Sequence, residues 1–143
     1  MIEGFRLSPQ QKRQWLSEQN GPANLAQCAV LIEGLLDPES LKQAAQNVVD
    51  RHEILRTGFH SRAGIKFPFQ VVAGSFSPSW ESHDLTELEP EQQEAGINRL
   101  FLEQRSRALD FEHNPVRFSL IGLSSYKHIL VVCLSSLCAD SIT

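Results

Sequence analysis

The stretch DPESLKQAAQNVVDRHEILRTGF, residues 37–59, contains the clearest helix pattern in the chain. Asp37 followed by Pro38 predicts a helix start, because aspartate caps a first turn and proline is tolerated at the first helical position. Apolar side chains and one histidine then recur at helical spacing, which predicts a face packed against a core. These positions are Leu41, Ala44, Ala45, Val48, Val49, His52 and Leu55. A strand over residues 57–60 is expected to follow.

Helices and strands alternate on both sides of this stretch. Residues 8–11 form a capping-box pattern, a serine before proline with glutamine three positions on, which predicts a helix from Pro9 to about Gln19. The alternating pattern of 116–123 predicts a half-buried strand, and the continuous apolar run of 128–134 predicts a fully buried one. Further strands are expected at 25–33, 67–72 and 80–84, and a surface helix at 90–109. This order predicts one domain with an α/β or α+β layer sandwich.

Composition and charge exclude several classes of partner. The chain has 143 residues, 41% of them hydrophobic, and a formal net charge of -4, which fits one core of ordinary size. No basic block provides the footprint that nucleic acid needs, and no apolar run approaches the roughly 20 residues of a membrane span. Cys28, Cys133 and Cys138 lack CxxC spacing, so we expect buried, reduced thiols and no metal site. We expect a cytoplasmic location, with neither nucleic acid nor membrane as a partner.

Three segments resemble motifs of one family. Residues 51–59, RHEILRTGF, resemble the RHExLRTxF motif of condensation domains from nonribosomal peptide synthetases. Residues 8–15, SPQQKRQW, resemble the family's opening motif SxAQxRxW, with Gln10 where alanine is usual, and residues 109–118 look like the segment before its active-site strand. The resemblance implies a chloramphenicol-acetyltransferase-like half-domain, with a mixed sheet flanked by helices. Residues 1–143 are then expected to be the N-terminal lobe of a condensation domain, truncated after the active-site motif.

The resemblance also implies where the active site lies. The family's signature HHxxxDG falls by register on residues 135–141, SSLCADS. Ser135 and Ser136 stand where the family has its histidine pair, Asp140 is retained, and Ser141 replaces the glycine. Condensation domains join carrier-bound aminoacyl or peptidyl thioesters by amide-bond formation, so the resemblance implies Ser136 and Ser135 as the catalytic positions. It also implies no directly bound cofactor, because the substrates arrive on the phosphopantetheine of partner carrier domains.

An alcohol in place of an imidazole changes what such a site can do. The α-amine of an amino acid has a pKa near 8, so part of it is free at cellular pH and a base is useful without being required. General acid–base help is typically worth about 10²–10⁴-fold. Ser136 can orient a group by hydrogen bonding, but its hydroxyl titrates far above pH 7, so we expect an impaired catalyst. A serine nucleophile is disfavoured, since the chain has no GxSxG elbow.

The remaining motif residues are expected to be structural. The resemblance implies that Asp140 pairs with an arginine of the same lobe and holds the active-site loop, with Arg56 as the first candidate partner and Arg51 as the second. Breaking a buried pair of this kind costs about 3–5 kcal/mol. The other residues of interest in the motif are His52, Glu53 and Thr57. The histidine is expected to be a buried core residue, and the glutamate a solvated or ion-paired group.

The partners and the function follow from the same resemblance. Peptidyl or acyl carrier protein domains and a missing C-terminal lobe are the implied partners. Residues 140–143 look like the first turn of an unfinished helix, and the uncovered apolar surface predicts homo-oligomers. One function is a weakly active amide-forming domain, and the alternative is a non-catalytic docking or structural module of the assembly line. A CoA-dependent acyltransferase relative is less favoured, because the motif of residues 51–59 is complete.

Overall fold

Three α-helices and seven strands alternate along the computed structural model, which describes residues 4–18 and 25–139. The helices are α1 (Pro9–Glu18), α2 (Pro38–Arg51) and α3 (Pro90–Ser106). The strands are β1 (Phe5–Arg6), β2 (Leu25–Glu33), β3 (Thr57–His60), β4 (Phe69–Val72), β5 (Ser79–Asp84), β6 (Val116–Ser124) and β7 (Lys127–Ser135). One 3-10 turn (Glu53–Arg56) joins α2 to β3. The predicted α/β layer sandwich is confirmed.

The strands form two sheets. The larger sheet has the order β2-β7-β6-β5, in which β5 and β6 are parallel and the other neighbours are antiparallel. α3 provides the crossover that a parallel pair requires. The smaller sheet has the order β1-β4-β3 and is antiparallel. The larger sheet is therefore mixed, as the sequence resemblance implied.

Helices cover both faces of the larger sheet. α2 packs on one face through Val49, which is fully buried against Val116 and Phe118 of β6. α3 packs on the other face, where Leu100 lies in a cluster with Ile121 of β6. Side chains of a strand point alternately to the two faces, so β6 contributes even-numbered residues to one cluster and an odd-numbered residue to the other. The two clusters fix the sheet between its helices.

A third cluster lies between the smaller sheet, α1 and the segment after β7. Its buried members are Leu7, Phe59 and Leu137. Trp15 of α1 packs against it. The backbone N–H of Phe59 also donates to the carbonyl of Phe111 at 2.8 Å. This cluster brings α1 and the end of β7 together.

The burial of β6 and β7 is the reverse of the sequence prediction. β6 is buried along most of its length, whereas β7 alternates between buried and half-buried positions. Arg117, inside β6, is only 5% exposed. Its Nε donates to Oε1 of Gln104 at 2.7 Å, and its Nη2 donates to the Gln104 carbonyl at 2.6 Å. The alternating polar pattern therefore did not indicate exposure, because α3 supplies acceptors for the buried charge.

Burial also departs from prediction around α2 and β2. Val48 is 49% exposed, so the packed stripe of α2 is narrower than expected. The prediction of a core histidine at His52 is wrong: α2 ends at Arg51, and His52 is an exposed C-cap with extended backbone. Cys28 is exposed on the edge strand β2 and Cys138 is half-buried, so the prediction of buried thiols is confirmed for Cys133 and wrong for Cys28.

Neither a membrane-spanning helix nor a metal cluster occurs in the described part of the chain. No helix among residues 4–18 and 25–139 is long and apolar enough to cross a bilayer. Within these ranges no three His, Cys, Asp or Glu side chains cluster so that they could hold a metal ion.

Candidate functional site

The turn that follows β7 carries the position of the predicted signature. The backbone N–H groups of Cys138 and Ala139 donate to the Ser135 carbonyl at 2.9 and 3.3 Å. Ser135 is fully buried, and its Oγ accepts from the Leu137 N–H at 3.1 Å. These bonds make a compact turn in which both oxygens of Ser135 accept hydrogen bonds from backbone N–H groups.

α1 lies against this turn through glutamine side chains. Nε2 of Gln11 donates to the Leu137 carbonyl at 3.3 Å and to Oε1 of Gln70 on β4 at 3.0 Å. Oε1 of Gln11 accepts from the Ser8 N–H at 2.9 Å, and the Gln11 N–H donates to Ser8 Oγ at 3.2 Å. The predicted capping box is confirmed, and the same glutamine holds α1 to the turn.

Ser136 faces α1 and has two polar partners there. Its hydroxyl donates to the carboxylate of Glu18. Nε2 of Gln14 donates to Ser136 Oγ at 3.3 Å and to Oε1 of Glu18 at 3.4 Å. Ser136 is half-buried and Ser135 is completely buried, so the two predicted catalytic positions are not equivalent. Only Ser136 lines an open cleft, which has a volume of about 210 Å³ and lies between α1 and residues 136–139.

Sequence reasoning gave Gln14 and Glu18 no role. Gln10, Gln14 and Glu18 follow each other at intervals of four, so one face of α1 carries a polar row. That spacing was a usable signal for a polar face. It did not reveal that the row meets a turn 118 residues further along the chain.

The thiol of Cys138 lies in this turn, close to Glu18. Burial, and then the negative charge of Glu18, raise the pKa of its thiol to about 12. The thiolate is the nucleophilic form of cysteine, and at neutral pH this thiol is almost entirely protonated. Cys138 therefore lines the cleft as an unreactive thiol.

Arg56 lies at the junction between α2 and β3. Its Nη1 donates to the Ala73 carbonyl, and the Ala73 N–H donates to the Arg56 carbonyl at 3.0 Å. Its Nη2 lies 3.7 Å from the carboxylate of Glu53, while its buried Nε has no hydrogen-bond partner among the described residues. Asp140 lies outside the described residues, so its pairing with Arg56 or Arg51 stays a prediction.

The other residues of the 51–59 motif do not line the cleft. Arg51, His52 and Glu53 are exposed at the end of α2. Thr57 is 3% exposed, and its Oγ1 donates to the Glu53 carbonyl at 2.7 Å. The cleft at Ser136 and the motif are therefore separate features. The motif residues stabilise the connection between α2 and β3 of the smaller sheet.

The placement of Glu18 beside the turn predicts the reactivity of the thiols. Exposed Cys28 should react with a thiol reagent at pH 8 much faster than Cys138 in the folded protein, because Cys138 is half-buried and protonated. Glu18→Gln should accelerate labelling of Cys138, since removing the negative charge lowers its pKa. Peptide mapping by mass spectrometry measures both rates, with Glu33→Gln at the exposed end of β2 as control. Equal Cys138 labelling in the parent and in Glu18→Gln would contradict this placement.

A family model and several relatives match the chain. The model described as "Condensation domain" matches residues 2–142. A linear gramicidin synthase of Brevibacillus parabrevis is 38% identical over 125 residues, which cover 81% of this chain and 2% of the relative. Surfactin synthase subunit 2 of Bacillus subtilis (strain 168) is 30% identical over 142 residues, which cover 95% of this chain and 4% of the relative.

Solved structures share the fold. A mutant of the starter condensation domain of the rhizomide synthetase matches with a TM-score of 0.83 at 19% identity, over 98% of this chain and 34% of that chain. The X-domain in complex with OxyB from teicoplanin biosynthesis matches with a TM-score of 0.74 at 25% identity, over 94% of this chain and 28% of that chain. This chain spans only a small part of the curated relatives and about a third of the solved neighbours. The family model covers nearly every residue, and the chain belongs to the condensation-domain family.

Proposed function

We propose that the chain is part of a nonribosomal peptide synthetase condensation domain that joins carrier-bound aminoacyl or peptidyl thioesters by amide-bond formation. The match to the condensation-domain family over residues 2–142 carries this proposal. The gramicidin and surfactin relatives are peptide synthetases, which supports the same reaction class. In this proposal the donor and the acceptor both arrive on phosphopantetheine arms of carrier domains, and no cofactor binds to the chain itself.

The chemical contribution of such a site is mainly to hold the two reactants together. The acceptor amine attacks the carbonyl carbon of the donor thioester, and alignment of two such groups supplies a large part of a rate enhancement. The cleft between α1 and residues 136–139 is the proposed position of the amine. Ser136 stands there in place of a base with an imidazole ring, and catalysis is accordingly weaker than in relatives with the histidine pair.

The chain corresponds, in this proposal, to the N-terminal lobe of the domain, with a second lobe as its partner. Asp140 would hold the active-site loop through Arg56, whose buried Nε has no hydrogen-bond partner among the described residues. Arg51 is exposed and is the weaker candidate. Carrier domains are the other proposed partners, and a cytoplasmic location stays a prediction.

Apolar residues near the free edge of the larger sheet support association with another surface. β2 is an edge strand in the described sheet, and the exposed fractions of Val30, Leu31 and Leu35 are 47%, 53% and 84%. An edge strand with exposed apolar side chains favours pairing with another chain.

The isolated chain should therefore associate in solution. We expect sedimentation velocity at increasing protein concentration to show dimers or larger species, because burial of this edge removes apolar surface from water. Val30→Lys and Leu31→Lys together should shift the distribution toward monomer. A parent chain that stays monomeric at high concentration would contradict the prediction.

A second candidate function is a non-catalytic docking or structural module. The degenerate signature favours it, because both histidine positions are serine. A neighbour of similar fold, the X-domain, was solved in complex with the protein OxyB. In this alternative the chain keeps the fold and a protein-binding surface and performs no chemistry.

Product formation separates the two candidates. The complete domain, mixed with loaded donor and acceptor carriers, should release an amide product that mass spectrometry detects. Ser136→His should raise the rate by about tenfold or more, because an imidazole accepts protons near neutral pH. A parent and a Ser136→His variant that both form no more product than the carriers alone would exclude the catalytic role and favour docking.

A further inference from the structure

Ser136 and Glu18 together form an arrangement that the predicted active site did not include. The Ser136 hydroxyl lines the cleft, and the Glu18 carboxylate lies behind it and accepts its proton in a hydrogen bond. Gln14 bonds to both partners, at 3.3 Å to Ser136 Oγ and at 3.4 Å to Glu18 Oε1. The three side chains therefore fix one direction for the hydroxyl, with its hydrogen toward α1.

The hydrogen-bond capacity of the hydroxyl leaves room for a substrate. A serine hydroxyl has one donor and two acceptor lone pairs. The donor is used by Glu18, and Gln14 uses one lone pair. The second lone pair has no partner among the described residues, so it can accept a hydrogen bond from an N–H group in the cleft. A group bound there would be connected to the carboxylate through a single hydroxyl.

We propose that Glu18 is a positioning residue that receives, through the Ser136 hydroxyl, a proton from the ammonium form of the acceptor. The inference rests on the proposed amide-forming function and adds a proton acceptor to it. Serine cannot be the final base, but it can pass a proton to a carboxylate that it already faces. The chain thereby replaces an imidazole with an alcohol and an acid from two distant segments.

The transfer conserves protons and electrons. The acceptor ammonium gives one proton to Ser136 Oγ while the Ser136 hydroxyl hydrogen moves to the Glu18 carboxylate. The nitrogen lone pair then forms the N–C bond with the thioester carbonyl carbon. The C–S bond breaks, its electron pair stays on sulfur, and the second proton of the nitrogen neutralises the thiolate. Glu18 releases its proton to water, so the products are an amide, a thiol and one proton.

The described groups around Glu18 and Ser136 do not compete for this proton. Cys138 faces the pair from the turn, and its thiol, with a pKa raised to about 12, stays protonated over the useful pH range. On α1, the Nζ of Lys12 lies 5.6 Å from the centre of the Phe67 ring, and Arg13 is exposed. Gln70 and Gln11, which connect β4 to α1, are neutral.

The test compares amide formation by the parent domain and by Glu18→Gln as a function of pH, with loaded donor and acceptor carriers. Glutamine keeps an oxygen that accepts the Ser136 hydrogen bond but does not take up its proton. About a tenth of an amine with a pKa near 8 is free at pH 7, so we expect a loss of up to about tenfold at that pH. Above the amine pKa the acceptor is already mostly free, and the loss should nearly disappear.

Two further variants keep the test decisive. Ser136→Ala interrupts the same path, so its rate should show the same pH-dependent loss even if Glu18→Gln folds poorly. Glu33→Gln, an exposed acid at the end of β2, should match the parent at every pH. A merely structural role of Glu18 would give a loss that is equal at all pH values, and that result would overturn the proposal.

The outcomes distinguish this inference from the proposed function. An active parent with equally active Glu18→Gln overturns the proton path and leaves amide formation standing. An inactive parent that becomes active as Ser136→His also overturns the path, because the serine and glutamate pair then supplies nothing. A parent and Ser136→His that are both inactive overturn the path together with the function on which it rests.

Discussion

The hydrogen-bonded contact between α1 and the turn after β7 is the interaction on which the site depends. Gln11 holds the turn through the Leu137 carbonyl, and Leu137 itself is buried against Phe59 of the smaller sheet. The turn is therefore fixed from both sides, by polar bonds on one and by apolar packing on the other. Because the turn is fixed, Ser136 contacts the polar face of α1, where Gln14 donates to its hydroxyl. Its neighbour Ser135 instead accepts a hydrogen bond from the Leu137 N–H within the turn.

The junction between α2 and β3 explains why the motif of residues 51–59 identifies the fold and yet stays away from the cleft. Leu55 packs in the cluster beneath α2, and Phe59 packs in the cluster beneath α1, so five residues of chain connect two cores. Gly58 lies between them, and a Cβ there would overlap the Glu112 carbonyl oxygen. The motif residues are therefore those whose size fits the short segment between α2 and β3: Leu55 and Phe59 fill the two cores, and Gly58 leaves room for the Glu112 carbonyl.

Local signals made much of this structure predictable, and long-range contacts account for what was missed. The caps at Ser8 and Asp37 and the bounds of β2 follow from neighbouring residues. The burial of Arg117 depends on α3, and the role of Glu18 depends on a turn far away in sequence. Sequence spacing alone identifies neither Gln104 as the partner of Arg117 nor Ser136 as the partner of Glu18. The exposure of His52 has a local cause, because α2 ends at Arg51 and His52 is its C-cap with extended backbone.

In the proposed proton path, the site differs from an imidazole pair because the Ser136 hydroxyl passes a proton on to the Glu18 carboxylate without retaining it. Its use requires that Ser136 and Glu18 interact, which a double-mutant cycle measures most directly. Free energies of unfolding in urea at pH 7 for the parent, Glu18→Ala, Ser136→Ala and the double variant should show a coupling of about 1 kcal/mol or more, because the acceptor is charged. Additive effects of the two substitutions, within about 0.3 kcal/mol, would show that Ser136 and Glu18 do not interact in solution and would contradict the account.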